Sequence, residues 1–331
     1  MSIKVLITDH PASTPDVERE VLSTLGAEVV VAPSTDEATL AELAGDVDAI
    51  ITCFAKVTDR VLDAAVRCRT VARTGVGVDN IDVARATQLG MIVTNVPEYC
   101  TDEVADHTLM LILALSRRLG PLVADTAAGG WDRNLTPVPM RLRGKTLALL
   151  GTGTIGRALI PRAQAIGMDV VACNRGRATP PGVRSVPGLA ALFAEADVLS
   201  LHLPLTPETE GIIDRSALAA MKPSALLVNT ARGGLVDTPS LTEALAAGEI
   251  AGAALDVTEP EPLPAAHRLR GLPNVLLTPH IAFSSDGSLA DLSRFAAGNV
   301  VGVLRGSLPS SVVNPDVLES PGLRGKGVTH S

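Results

Sequence analysis

"LALLGTGTIGRAL", Leu147 to Leu159, sets Gly151, Gly153 and Gly156 between an apolar run and a helical one. Alone, the G-x-G-x-x-G spacing is a weak signal. Between a strand and a helix, and followed by a second strand closing at "DVVACN" (169–174), it is a strong one for a dinucleotide-binding turn. Gly151 permits the tight turn, Gly153 lets the backbone approach a pyrophosphate, and Gly156 lets helix and strand pack closely. The helix N-terminus, with Thr154 and Ile155, offers free N–H groups and a partial positive charge to the phosphates.

The end of that second strand bears on which dinucleotide binds. A carboxylate there would accept hydrogen bonds from both ribose hydroxyls of NAD and repel a 2′-phosphate. This chain has Asn174, then Arg175 and Arg177. Asn174 can still hydrogen-bond the ribose, and guanidinium groups bind phosphate through a planar, bidentate fork. NADP(H) is therefore favoured, with NAD(H) as the alternative.

Outward from the turn, strands alternate with helices on both sides. "IKVLITD", "AEVVVAP", "VDAIITCF", "TVARTGVG" and "MIVTNVP" are separated by helical stretches such as "DVEREVLSTLG" and "VTDRVLDAAVRC". From Lys145 the alternation restarts with "TLALLG" and is complete by about His280 at "NVLLTPH". This predicts an α/β chain of two doubly wound parallel-sheet domains. With the second sheet full, the helix in "SSDGSLADLSRFAAGNVVGVLRG" is expected to cross back to the first domain. The tail after Pro315 has no apolar period and is expected to fray.

The 331 residues suit two such domains, and 46% apolar with 19% charged residues is globular composition. Aromatics are only 2%, so Ala, Val, Leu and Ile must build the cores. A net charge of −8 with no long basic run argues against nucleic acid. No uncharged apolar stretch is long enough for a membrane span, and "MSIKVLITDH" runs straight into a strand without a leader pattern. A cytoplasmic protein is expected. Cys53, Cys68, Cys100 and Cys173 are scattered and read as buried thiols. A long helix is predicted from about Thr101 to Leu119, ending at Arg117-Arg118. Asp106 and His107 on it lack a further ligand at i+4, so no metal is expected. "GGWDRNLTPVPMRLRG" (129–144), with the only Trp, reads as an irregular surface arm, either a plain loop or an oligomer contact.

Three later motifs complete the pattern: "LLVNTARGGLVD" with Arg232, "ALDVTEPEP" with Asp256 and Glu261, and "LLTPHIAF" with His280. In order and spacing, over about Ile3 to Asn314, the chain resembles the D-isomer-specific 2-hydroxyacid dehydrogenases. "RTGVGVDNID" and "LHLPLTPETEGII" extend the likeness. The resemblance implies a flavodoxin-like substrate domain (1–99 plus 284–315), a Rossmann cofactor domain (100–283) and a tail (316–331), with a cleft between the domains. It implies a catalytic Arg232, Glu261 and His280. His280 would protonate the oxygen formed when a 2-oxo acid receives hydride, a task that suits its ordinary pKa. Glu261 would hydrogen-bond the imidazole and favour the imidazolium; Glu259 is its rival, but the family's DV-x-x-x-EP spacing selects Glu261. Arg232 would bind the substrate carboxylate and polarise the carbonyl. Asp256 would contact the nicotinamide carboxamide, and Thr230 and Ala231 would line the cofactor.

Backbone N–H groups of Val76 and Gly77 would cradle the substrate carboxylate across the cleft. Loops around Cys53–Lys56, Tyr99 and Phe283 would form the pocket's outer wall. A homodimer is expected from the same resemblance, with a small 2-oxo or 2-hydroxy acid as substrate. "VPEYCTDEVADH" and "TPHIAFSSDGSL" also resemble bacterial relatives of the C-terminal binding proteins, which leaves a nicotinamide-sensing interaction protein as the alternative.

Overall fold

Short, uninterrupted apolar runs are the composition of strands covered on both faces. In a computed structural model, which describes residues 2–10, 14–134, 137–173 and 179–324, those runs form two separate parallel sheets. The contacts divide the chain into two units, Met1–Cys100 with Ser285–Ser331, and Thr101–Ser284.

The first unit contains β1 (Lys4–Ile7), α1 (Asp16–Ser23), β2 (Glu28–Val31), α2 (Glu37–Ala44), β3 (Ala49–Thr52), α3 (Asp59–Ala64), β4 (Thr70–Arg73), α4 (Val83–Gln88) and β5 (Ile92–Thr94). Its order, β2-β1-β3-β4-β5, is parallel throughout and matches the flavodoxin-like winding. Leu6, Ile50 and Val71 pack on one face, while Val5, Ile7, Ala49 and Ile51 pack on the other. The period of two inside an all-apolar run is how one strand serves two cores.

The second unit contains α5 (Thr101–Ser116), α6 (Leu119–Ala127), β6 (Thr146–Leu150), α7 (Thr154–Ala165), β7 (Asp169–Cys173), β8 (Arg184–Ser185), α8 (Leu189–Glu195), β9 (Val198–Leu201), α9 (Arg215–Ala220), β10 (Leu226–Asn229), α10 (Thr238–Ala247), β11 (Gly252–Leu255) and β12 (Val275–Leu277). The sheet order is β12-β11-β10-β9-β6-β7-β8. From β8 inward this is the Rossmann winding, with β12 added beyond it. Ala148, Leu150, Leu199 and Leu227 face one core, and Leu147, Leu149, Val198 and Val228 face the other. After this sheet the chain enters α11 (Asp286–Arg305), whose Ala297 and Val300 join the first unit's core with Val5 and Ile7. A capping box of Ser285 and Ser288 starts α11, and Gly306 at φ 88° ends it.

Two expectations are corrected. The helix beginning at Thr101 stops at Ser116 rather than continuing to Leu119, because Arg118 turns left-handed at φ 56° and donates from Nη1 to the Pro137 carbonyl at 2.7 Å. A separate helix, α6, then follows. The tail does not fray within the described residues. Val317 is fully buried, and Arg324 donates through Nη1 to the carbonyls of Ala65 (2.7 Å) and Cys68 (3.2 Å). Backbone pairing of Arg324 N–H to the Gly90 carbonyl at 2.9 Å replaces the apolar period that the sequence lacks. Among the described residues no helix is long and apolar enough to cross a membrane.

Candidate active site

At the end of β6 the chain must reverse into α7 within a few residues, and glycine geometry decides how closely it can do so. Gly151 sits at φ 101°, and a Cβ there would lie 2.6 Å from the His202 carbonyl. A Cβ on Gly156 would lie 2.6 Å from the Gly151 carbonyl. Both positions therefore exclude side chains by contact with backbone. Gly153 differs: it is the N-cap of α7, makes no side-chain cap bond, and a Cβ would meet nothing within 4 Å. Open space beside a bare helix N-terminus fits a pyrophosphate, which would take the unpaired first-turn N–H groups of Thr154 and Ile155. Asn174, Arg175 and Arg177 lie outside the described residues.

His202, just beyond β9, stands behind this turn. Its Nε2 lies 2.9 Å from Ser200 Oγ, and burial pushes its pKa down to about 4. The ring is thus neutral at ordinary pH.

Beyond β10, the fully buried Asn229 folds the next turn. Its Oδ1 accepts the Ala231 N–H at 3.0 Å and its Nδ2 donates to the Arg232 carbonyl at 2.8 Å. Thr230 Oγ1 lies 2.8 Å from Thr108 Oγ1 on α5. Thr230, Ala231 and Arg232 are therefore held as one rigid turn, with Arg232 Nη1 donating to the Ala231 carbonyl at 2.8 Å. Gly233 has no room for a Cβ, which would run into the Thr258 carbonyl. That close approach draws the Arg232 turn against the loop following β11.

This loop carries Glu261, and β12 leads to His280. Glu261 Oε1 and His280 Nδ1 are 2.6 Å apart; Glu261, not Glu259, makes the contact. The two side chains retain 39% and 23% of their exposure, so the pair is worth only about 0–1 kcal/mol to folding. What it provides is orientation: the bond from Nδ1 to Glu261 fixes the plane of the ring. Phe283 meets the imidazole edge-on, with centroids 6.2 Å apart.

His280 itself is left-handed at φ 51°, a strain of about 1 kcal/mol or more for a residue with a Cβ. Asp256 holds it there. The Asp256 carbonyl accepts the His280 N–H at 2.7 Å, and its carboxylate accepts the N–H groups of Ile281 (3.0 Å) and Ala282 (2.9 Å). Thr278 Oγ1 donates to the same carboxylate at 2.5 Å, and His107 Nε2 lies 3.2 Å from that hydroxyl. Asp256 is 2% exposed, and its carboxylate thus braces the His280 loop from beneath. Asn229 and His107 escaped sequence reading as site residues, because a buried amide and an imidazole on a helix carry no motif.

In the first unit, the loop after β4 presents Val76 and Gly77. Val96 N–H donates to the Gly75 carbonyl at 2.9 Å, and Asn95 Nδ2 donates to the Val76 carbonyl at 2.6 Å. With the carbonyls tied down, neither the Val76 nor the Gly77 N–H donates to another described residue. Burial pushes the nearby Cys53 thiol up to about 12, which makes it a packing group rather than a nucleophile.

The sheet of the second unit thus carries a glycine turn after β6 and an arginine, a carboxylate and a histidine after β10, β11 and β12, an arrangement that fits a nicotinamide-dependent oxidoreductase. Residues 109–282 match the model of the D-isomer specific 2-hydroxyacid dehydrogenase NAD-binding domain. The chain is 39% identical over 317 residues to D-3-phosphoglycerate dehydrogenase of Methanocaldococcus jannaschii, covering 94% of this chain and 59% of that longer protein. It is 38% identical over 292 residues to glyoxylate reductase of Thermococcus litoralis, covering 85% of this chain and 88% of that one. A solved NADPH-dependent glyoxylate/hydroxypyruvate reductase from Sinorhizobium meliloti, in complex with NADP and malonate, superposes with TM-score 0.86 at 31% identity, covering 95% of this chain and 97% of that one. The chain belongs to the D-isomer-specific 2-hydroxyacid dehydrogenase family.

The glycine turn separates folding from ligand binding. Gly153→Ala is expected to leave the unliganded protein within about 0.5 kcal/mol of wild type, because the Cβ meets only open space. It should still raise the dissociation constant of the dinucleotide severalfold, read by fluorescence titration. Gly151→Ala should lose both; if Gly153→Ala bound cofactor normally, the phosphates do not lie there.

His202 gives a pH signature. Its pKa falls from 6.5 in the unfolded chain to about 4 in the fold, so between those values the unfolded state binds more protons. Its contribution is complete above pH 6.5 and is lost as pH falls toward 4. Urea midpoints should decline less steeply over this window in His202→Gln than in wild type. Parallel declines would show that the imidazole is not held neutral.

Proposed function

We propose that this chain reduces small 2-oxo acids to D-2-hydroxy acids, with NADP(H) preferred over NAD(H). The observation that carries the reading is the Glu261–His280 pair at 2.6 Å on the sheet edge that also bears Arg232 and the glycine turn. The nicotinamide supplies the hydride when bound. Arg232 pairs with the substrate carboxylate and polarises the C2 carbonyl, so that charge developing on the oxygen meets a fixed cation. We also assign the N–H groups of Val76 and Gly77, in the first unit, to binding a substrate carboxylate. His280 passes the Nε2 proton to the C2 oxygen as that charge develops. Glu261, bonded to Nδ1, keeps the ring turned and balances the imidazolium charge. Asp256 lies close beneath His280, and we assign it to the carboxamide of the cofactor as well. Thr230 and Ala231, held by Asn229, form the wall along which the cofactor lies.

Support for a homodimer comes from one surface of the second unit. Leu119, Val123, Trp131 and Val138 are 50%, 58%, 76% and 82% exposed. Leu119 and Val138 line a cavity of about 800 Å³ together with Leu115, Leu226, Ile250 and Leu276, with Arg118, Arg141 and Lys145. An apolar patch of this kind is covered in a stable assembly. Light scattering that returned the mass of one chain would remove the proposal.

The decisive assay is a panel of glyoxylate, hydroxypyruvate and phenylpyruvate with each reduced cofactor. His280→Ala should lower kcat by about 10²–10⁴-fold while leaving cofactor affinity nearly unchanged. Unchanged turnover would take the proton-donor role from His280. A wild-type protein that binds NADPH but reduces nothing on the panel would instead be a nicotinamide-sensing binding protein.

Cofactor choice is tested separately. Replacing Arg175 and Arg177 with Ala should raise KM for NADPH by about tenfold or more, the loss of a charge-assisted phosphate contact, and barely move KM for NADH. Equal changes for the two cofactors would show that these arginines are ordinary loop charges.

A further inference from the structure

Two adjacent side chains of α5, His107 and Thr108, reach different turns at the carboxyl edge of the second unit's sheet. Thr108 meets Thr230 after β10, and His107 meets Thr278 after β12. A hydroxyl has a single proton to give, so the direction of each contact follows from where that proton goes. Thr108 Oγ1 donates to the Val104 carbonyl of its own helix at 2.6 Å. Thr230 is therefore the donor in the 2.8 Å contact with Thr108. On the other side, Thr278 Oγ1 gives its proton to Asp256 Oδ1 at 2.5 Å. The 3.2 Å contact with His107 is then made by a ring N–H, and Nε2 is a protonated nitrogen of that imidazole. His107 Nε2 lies 3.7 Å from Asp256 Oδ1, too far for a direct hydrogen bond, so the hydroxyl is the link between them.

That link decides what is left of the Asp256 carboxylate. Oδ1 takes the Thr278 hydroxyl and the Ile281 N–H, which use both of its lone pairs. Oδ2 takes the Ala282 N–H at 2.9 Å and keeps one acceptor site among the described residues. A hydroxyl rotor has three staggered wells, and a donor aimed at its oxygen selects one of them. With the His107 N–H in place, the Thr278 proton stays on Oδ1 and the carboxylate keeps one orientation.

We infer that His107 is a positioning residue for the nicotinamide: its Nε2–H fixes the Thr278 hydroxyl on Oδ1 of Asp256, which reserves Oδ2 for the carboxamide N–H₂. This rests on the assignment of Asp256 to the carboxamide under the proposed function. The carboxamide marks one side of the pyridine ring, so an acceptor at a fixed place decides which face of C4 turns to the substrate. Orientation of that kind is what a protein contributes to a cofactor whose chemistry is its own.

The test uses whichever of NADPH and NADH binds more tightly, and the 3-acetylpyridine analogue of that same dinucleotide. The analogue has a methyl group where the carboxamide has N–H₂, so it cannot donate to Oδ2. In His107→Leu, the dissociation constant of the natural cofactor should rise about tenfold, the scale of one hydrogen bond to a charged group. That of the analogue should change about twofold or less. His107→Gln, whose side-chain amide can put an N–H where Nε2–H stood, should recover most of the natural cofactor's affinity. Thr278→Val removes the hydroxyl but keeps the shape; it should reproduce the His107→Leu pattern, and it takes over the test should that variant fold poorly. A check without cofactor is the nitrogen chemical shift of the His107 ring, which should show a proton on Nε2.

Equal losses for cofactor and analogue would overturn the role and make His107 merely structural. A bare Nε2 would overturn the bond to Thr278 on which the role depends. If wild type bound the natural cofactor no better than the analogue, the Asp256 assignment would fall and take the role of His107 with it. None of these readouts needs turnover, so a protein that reduced no 2-oxo acid would lose the hydride-transfer reading while the binding comparison still decided the role of His107.

Discussion

The carboxyl edge of the second unit's sheet depends on the buried carboxylate of Asp256. His280 occupies a left-handed backbone conformation that its own side chain disfavours, and Asp256 offsets that strain with its carbonyl and both carboxylate oxygens. A carboxylate accepting backbone N–H groups in a dry setting forms bonds about twice as strong as neutral ones. The Glu261 contact, by comparison, is half-exposed and contributes little to stability. The division is sensible: the buried group sets the backbone, and the solvated one sets the ring.

Parallel winding explains why so few residues suffice. Because β6, β10, β11 and β12 all run the same way, their carboxyl ends lie along one edge, and a residue placed just past each strand joins the same site. Gly151, Arg232, Asp256 and His280 are each a short step beyond a strand. The first sheet follows the same rule, with Asp9, Phe54 and Val76 just past β1, β3 and β4.

This rule also accounts for what could be read from sequence. The glycine turn was legible because its geometry needs glycine and nothing else: backbone atoms lie where a Cβ would go at Gly151 and Gly156. The strands were legible as apolar runs, and α11 as a helix with no sheet left to join. The break at Arg118 was not, since a left-handed arginine leaves no mark in an apolar period. Nor was β8, whose two exposed residues, Arg184 and Ser185, carry no apolar signal. The docking of Val317 and Arg324 rests on isolated contacts, which have no period at all. Glu261 and His280 stood out by motif, but Asn229 and Asp9 act through backbone atoms and become visible only when the loops are in place.

Those hidden residues share a physical cause. With aromatics at 2% of the chain, its loops have few large rings to anchor them by packing. Each buried, unpaired N–H or carbonyl would cost about 1–3 kcal/mol, so a tight loop at a strand end needs partners for its backbone. Asn229, Asp256, Asp9, Asn80 and Asn95 provide them, each reaching across a turn to backbone atoms that the sheet ladder cannot serve. Such ties fix direction as well as energy, because a hydrogen bond weakens steeply with angle, whereas an apolar contact tolerates sliding. Polar clamping thus supplies the stability of these loops from behind, without large side chains packed at their tips. The same design makes the clamps sensitive to polarity rather than to volume. An Asp-to-Asn exchange conserves shape and packing, yet it sets donor against donor where the loop has the least freedom to yield.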